Sequence, residues 1–529
     1  MIDSSTAYQA AVTAAVRRTY IRAIVNIISP TAAFGTISGA AQAGYSHPEQ
    51  THDLIFDSGK NYGTCELNRL LLDGSCTYLP DDTAAMTDQV GYVGSDLSAD
   101  DGSFETAQVI TLPLSGIDIL QTCSVYFSDR LIDGVAKDLT IEIMTGDTAA
   151  HTVSYSGNRN SAIVVTGFSA SSPTAIRITI DSWTLPSRRV RIIEIMPGIH
   201  ETWGNEMIAS FSVVQQANFA GTALPYGTCT LEIDNSGKRF EPQNKAGIFK
   251  SIEERQGIDA QIGVKLPDGT IEYKPLGRYY QFSGGWTTGN NSLTIKWDLV
   301  DIVGLITDRT FFPPSTLPTT LDGWVSAIIS TLGEGFSEQY KVDDSIKTTA
   351  LTANSADDVA GKKCGDLLSA LAMAASAWVH ADAETGKLMI EPLPSGGKAL
   401  TLGNLAAYPV TRANIDVGKI VVNLADGNQT QIVIDGNEPA SDNQIAISNP
   451  FIHTSAAAQT AAAYILQFYG GNLVETTGRG DPASEIGDLD TIELAEETSA
   501  TGRRQMQSFK YQNGVLQSCQ SKILEVTIT

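Results

Sequence analysis

Six side chains between positions 126 and 183 are of the types that hold a sugar: Tyr126, Phe127, Tyr155, Arg159, Asn160 and Trp183. Aromatic rings stack on the apolar faces of sugar rings, and amide and guanidinium groups bond the hydroxyls. Tyr126 and Phe127 are adjacent in a strand-like run, so they point to opposite faces and cannot both serve one site. Phe127 and Trp183 are also residues that fill cores, and for each of them the core is the favoured place.

Other groups with chemical potential are poorly arranged for it. The six cysteines, at 65, 76, 123, 229, 364 and 519, form no C-x-x-C pair, so neither a zinc site nor a dense disulfide framework is expected. His47 and His52 share a polar loop with no third ligand nearby. The stretch SDLSADDG at 95–102 departs from a calcium loop because Asp101 fills the glycine slot and Gly102 comes one place late. GEGF at 333–336 lacks the later glycine and basic residue of a phosphate loop. Arg479-Gly480-Asp481 matches a cell-adhesion tripeptide, but its setting, GRGDPASEIGDLDTIEL, reads as two turns feeding a strand. There is no G-x-S-x-G and no H-E-x-x-H, and 59 acidic residues yield carboxylate pairs without selecting any. No catalytic residue, metal ligand or cofactor is assigned, and the chain is read as no enzyme.

The elements that would position these residues are mainly strands. At 529 residues the chain exceeds one core, and 42% hydrophobic residues supply several. No run of about 18 apolar residues is present, so no membrane span is expected. The opening MIDSSTAYQAAVTAAVRRTY lacks the basic start and apolar stretch of a secretory signal. A formal charge of −24 disfavours tight or sequence-specific binding of nucleic acid, because phosphates are neutralised by Lys and Arg; it suits a wall that nucleic acid slides past.

Along the chain, a helix capped by Ser4 or Ser5 carries Tyr8, Ala11, Val12, Ala15 and Val16 on one face. Short alternating strands follow from residue 105, with Leu139, Ile141 and Ile143 in one and Ile176, Ile178 and Ile180 in another; they predict a β-sandwich or jelly roll over 85–198. Turns are expected at Asp268-Gly269, Asn290-Asn291, Thr385-Gly386, Asp426-Gly427 and Asn513-Gly514. A helix in CGDLLSALAMAASAW places Leu367, Leu368, Leu371, Ala375 and Trp378 on one face. The tetrapeptide YGTC occurs twice, ending at Cys65 and Cys229, and its two copies are expected to mark equivalent strands of a repeated β-unit. The fold class is therefore mainly β, multidomain, with α+β parts. The expected domains are 1–84, a helix and first β-unit; 85–198, an inserted sandwich; 199–317, a second β-unit; 318–395, a helix-plus-hairpin domain; and 396–529, a C-terminal β domain.

The stretch LPYGTCTLEIDNSGKRFEPQNKAGIF resembles phage tail proteins of the hub, tail-tip or baseplate class. The resemblance rests on Leu224-Pro225, Asp234-Asn235, Phe240, Pro242, Asn244, Gly247-Ile248 and Gly277–Tyr279, in that order. The opening helix and strand, the helix feeding a hairpin, and RGDPASEIGD are similar to the family as well, and 85–198 looks like the carbohydrate-binding-type sandwich often inserted in it. The resemblance implies duplicated tail-tube-like β-barrel units, a homotrimer around a central channel for DNA, and a place in the virion after assembly in the host cytoplasm. It implies as partners the tail tube or distal tail protein, tail-tip or fibre proteins, the tape-measure protein and host surface polysaccharide. Two other readings compete: a cell-surface protein that binds or cleaves glycans, and a tail-tip adhesin for which the hub fold is only a mount.

Overall fold

The computed structural model describes residues 2–28, 32–53, 56, 62–64, 66–67, 69, 77–78, 89–221, 223–238, 240–241, 257–288, 293–333, 336–414, 417–433, 443–495, 498–512 and 514–526. Cys65, Cys76, Pro242, Asn244, Gly247, Ile248, Asn290, Asn291, Asn513 and much of GEGF lie outside the described residues. The chain is mostly β and divides into two compact units. One comprises Met1–Val25, Thr202–Lys238 and Glu254–Thr529; the other comprises Asn26–Glu201 and Arg239–Glu253.

The first unit is built on a 14-stranded sheet. Its order runs through Thr19–Ile28, Gly257–Lys265, Ile271–Thr288, Thr294–Val300, Thr228–Asp234 and Ile208–Gln216. It continues through Thr498–Gln512, Cys519–Glu525, Leu473–Gly478 and Val410–Arg412. Alternation makes the strands: in TCTLEID, Cys229, Leu231 and Ile233 are buried while their neighbours are not. Tyr511, Phe211, Leu231 and Trp297 form one row across four adjacent strands. Burying each such side chain contributes about 1.5–3 kcal/mol. That row crosses the joint between two strand sets, one from residues 19–300 and one from 410–525.

The two YGTC copies are not equivalent strands. Thr228 and Cys229 open a central strand of that sheet, whereas Tyr62-Gly63 pairs in parallel with Thr77-Tyr78 in a two-stranded piece of the other unit. Four shared residues do not outweigh the five after them: TLEID alternates and ELNRL does not. The strand set joined to Ile208–Gln216 comes from the C-terminal region, while residues 1–84 give this sheet the strand Thr19–Ile28 at Gly257–Lys265.

Helices and a hairpin complete the first unit. Ser5 caps the helix Thr6–Thr13 by accepting from the Tyr8 N–H at 3.0 Å, and Tyr8, Ala11 and Val12 are buried; the helix stops short of Ala15 and Val16, and Val16 is exposed. Leu321–Ile329 and Cys364–Ala374 pack with the strands Trp378–Ala381, Leu388–Glu391 and Tyr340–Val342. The hairpin turns at Gly386, whose φ of 71° suits glycine. Trp378 belongs to the strand and not to the helix face, because Ser376 at φ 53° ends the helical path.

The second unit is a sandwich. One sheet is ordered Thr148–Tyr155, Ala136–Thr145, Ala175–Trp183, Ser103–Ser115 and Ala33–Phe34, and the other Ala162–Val165, Cys123–Phe127, Arg189–Met196 and Tyr92–Leu97. Ile141, Ile143, Ile176, Ile178 and Ile180 face Val125, Ile192 and Ile195 in a single core. Ala33–Phe34 and Ser38–Gly39 pair with Ser103–Ser115, so strands from well before residue 85 take part in it.

Candidate functional site

The sugar-type side chains separate into core and rim. Trp183 is fully buried, its Nε1–H donating to the Asp133 carbonyl at 2.8 Å, and Phe127 meets it edge-on with ring centroids 5.7 Å apart. Packing closes both to a ligand. Tyr126 lies on the opposite face of its strand, half-buried, donating to the His200 carbonyl at 3.1 Å and meeting the Phe56 ring edge-on. Burial pushes its hydroxyl up to about 12. Tyr155 packs partly against the core, while Arg159 and Asn160 are exposed on the loop beyond it. Asn158 shapes that loop: it is buried, donates to the Ala136 carbonyl at 2.8 Å and accepts from the Asn160 N–H at 3.1 Å. Arg159 and Asn160 thus stand on an exposed rim loop just after Tyr155, and Tyr126, paired with Ala162 on the strand that follows that loop, turns its hydroxyl to His200 instead.

The second unit also contains a buried ionic cluster. The Asp133 carboxylate accepts from Arg69, from Arg191 at 2.7 Å and from Ser128. Arg188 ties the neighbouring loops, donating to the Ile132 carbonyl at 2.8 Å and to the Leu67 carbonyl at 2.5 Å.

In the first unit the tripeptide Arg479-Gly480-Asp481 is a structural latch. Asp481 accepts from the Tyr8 hydroxyl at 3.1 Å and from Lys398, while Arg17 donates to the carbonyls of Arg479 and Gly480. Arg479 returns a bond to the Ala14 carbonyl at 2.5 Å. These contacts hold the helix Thr6–Thr13 and the segment after it.

The same unit contains an acidic cavity of about 150 Å³ lined by Asp301, Asp382, Glu391, Glu485 and Asp488. His380 stacks on Trp378 with centroids 3.9 Å apart and reaches Glu391 Oε1 at 3.0 Å. Burial pushes Asp301 up to about 6 although the N–H groups of Gly227 and Gly304 bond it, and burial also pushes Glu485 up. Among the described residues no cluster of His, Cys, Asp or Glu is arranged to hold a metal ion. Cys123, Cys229, Cys364 and Cys519 are buried and free. No described helix is long and apolar enough to cross a membrane.

No protein-family model matches the chain, and no curated protein matches it. Its structural neighbours are phage tail proteins and type VI secretion components. The 43 kDa tail protein of prophage MuSo2 from Shewanella oneidensis is similar at 16% identity and a TM-score of 0.41, over 61% of this chain and 96% of that one. The tail protein from Neisseria meningitidis MC58 is similar at 10% identity and a TM-score of 0.43, over 62% and 94%. The E. coli c3393 protein, a component of the type VI secretion system, is similar at 10% identity and a TM-score of 0.37, over 61% and 74%.

Sequence reasoning missed the Asp133 cluster and the acidic cavity. SDRLIDG reads as a solvated turn, and the cavity residues are spread from 215 to 488. The positive signal was indirect: four arginines, Arg69, Arg188, Arg189 and Arg191, in or beside apolar strand patterns, where an unpaired charge is costly.

Proposed function

We propose that this chain is a structural component of a phage tail, a hub or tail-tip protein that forms a ring around a channel for DNA. One observation carries the reading. Ser210–Gln216 pairs residue by residue with Gln512–Met506, knitting two antiparallel strand sets into one sheet within a single chain. A ring of three such chains presents six strand sets, which lets a three-fold assembly meet a six-fold tube. The acidic balance of −24 per chain suits a lumen that DNA passes without adhering. In this reading the partners are further copies of the chain, the tail tube or distal tail protein, the tape-measure protein and tip fibres, and the role is mechanical rather than catalytic. In this reading the exposed loop with Arg159 and Asn160, and Tyr155 before it, is where the second unit meets a host polysaccharide.

Electron cryomicroscopy of the purified full chain tests the ring. The expected particle has three-fold symmetry, a central hole and three times the 56.3 kDa chain mass; a species that stays monomeric at every concentration overturns the reading. The same preparation, passed over immobilised bacterial polysaccharide, tests the rim: Arg159→Ala is expected to reduce retention, and equal retention removes the rim from the proposal.

A further inference from the structure

The first unit holds a second cavity, of about 140 Å³, beside the latch. Lys398, Arg479 and Arg504 line it against one carboxylate, Asp481, while Val12 and Leu400 supply apolar wall. In a chain of charge −24, an interior wall with an excess of cations is a departure from the rest. Two of the cations are only partly compensated. Arg504 is 4% exposed, lies 2.6 Å from Asp490 Oδ2 and donates to Ser521 Oγ at 3.0 Å, but its Nε has no acceptor among the described residues. Arg479 has a carbonyl partner, Ala14, and no paired carboxylate among the described residues. Arg17 stands behind the turn and adds to the positive field. Cys519 also lines the cavity, and burial pushes its thiol up to about 12, so it contributes no negative charge at neutral pH.

We propose that this cavity binds a carboxylate carried on a small apolar body. The cationic wall selects the anion, since hydrogen bonds from charged donors to a carboxylate are about twice as strong as neutral ones. The volume selects the body: an apolar cavity of about 150 Å³ holds a single benzene ring. A free small acid and the C-terminal carboxylate of a neighbouring polypeptide share this chemistry. The proposal stands apart from the ring assembly and survives its failure.

Calorimetric titration of the full chain with benzoate and with benzyl alcohol tests it. Benzoate is expected to bind about tenfold more tightly than the neutral alcohol, and Arg479→Gln to erase that difference. Leu400→Trp fills the cavity without touching a charge and is expected to abolish both titrations. A tripeptide with an apolar last residue, as free acid and as amide, separates the sources: binding by the acid form alone identifies a chain terminus, and binding by benzoate alone identifies a free acid. Equal affinity for acid and alcohol, heat from neither at millimolar concentration, or unchanged benzoate binding in Leu400→Trp overturns the proposal.

Discussion

Asp133 in the second unit and Asp490 in the first are equally shielded from water, at 2% and 0% exposure, and each faces arginine. They are built differently. Asp133 receives two guanidinium groups and a hydroxyl, and the spare donors of those arginines go to the carbonyls of Tyr62 and Val90. Asp490 has one arginine 2.6 Å from its Oδ2, without a formed hydrogen bond, and accepts one backbone N–H, that of Lys398 at 3.0 Å; burial pushes its carboxyl up. Burying an ion is tolerable when its hydrogen-bonding capacity is filled on both sides, and the low dielectric then strengthens every bond in the cluster. The first carboxylate belongs to a closed network. The second belongs to a pair whose cation has a donor to spare and itself lines a cavity.

Breaking the network is expected to have the largest effect. Asp133→Ala leaves Arg69 and Arg191 buried with no counter-charge from that position, a loss of about 3–5 kcal/mol. Hydrogen exchange in the strands Ala136–Thr145 and Ala175–Trp183 reads this within the second unit, since the Trp183 indole is bonded to the Asp133 carbonyl. A loss below about 1 kcal/mol, the size of one ordinary hydrogen bond, would mean that the network is no more than a surface pair.

Arg504→Met is expected to cost less, about 2 kcal/mol at acid pH, because Asp490 can take up a proton in place of losing its partner. The sign follows from the direction of the shift. A carboxyl raised in the folded state stabilises most at low pH, and that contribution is lost as pH rises through the folded value. Removing Arg504 raises Asp490 further, so the deficit of the variant should grow as pH increases. Exchange in Leu489–Ala495 and Thr498–Gln512, followed between pH 5 and 8, measures it; a deficit independent of pH would show that Asp490 never takes the proton.

The contrast also explains which features are legible in the sequence. Local rules are: the Ser5 cap, the turn at Gly386 and the alternation of Cys229, Leu231 and Ile233 all depend on neighbours a few residues away. Phe127 and Trp183 take the core places their types favour. Pairing between distant segments is not legible. Nothing in 208–216 announces 498–512 as its neighbour, and the repeated YGTC points to residues 1–84 instead. The buried charges are hidden for the same reason. Arg69, Asp133 and Arg191 lie on three separate segments, and nothing local says which carboxylate the arginines will meet. Arg479-Gly480-Asp481 reads as a turn on its own spacing, but its partners Tyr8 and Arg17 lie far back in the chain.

Asp481 is the intermediate case, and it carries the smallest expected effect. It is partly exposed and accepts from Tyr8, from Lys398 and from the Ala483 N–H at 2.9 Å. Tyr8→Phe removes one of these three donors and leaves the ring buried in the same place. Because the carboxylate keeps its cation and a backbone bond, and water can reach it, the cost should be about 1 kcal/mol, that of a single net hydrogen bond. Faster exchange confined to Thr6–Thr13, with Leu473–Gly478 unchanged, is the expected pattern. If the helix instead detached outright, with a loss comparable to that of Asp133→Ala, the Tyr8 hydroxyl would be the keystone of the latch. The number of filled bonds around a carboxylate would then not be what ranks these three sites.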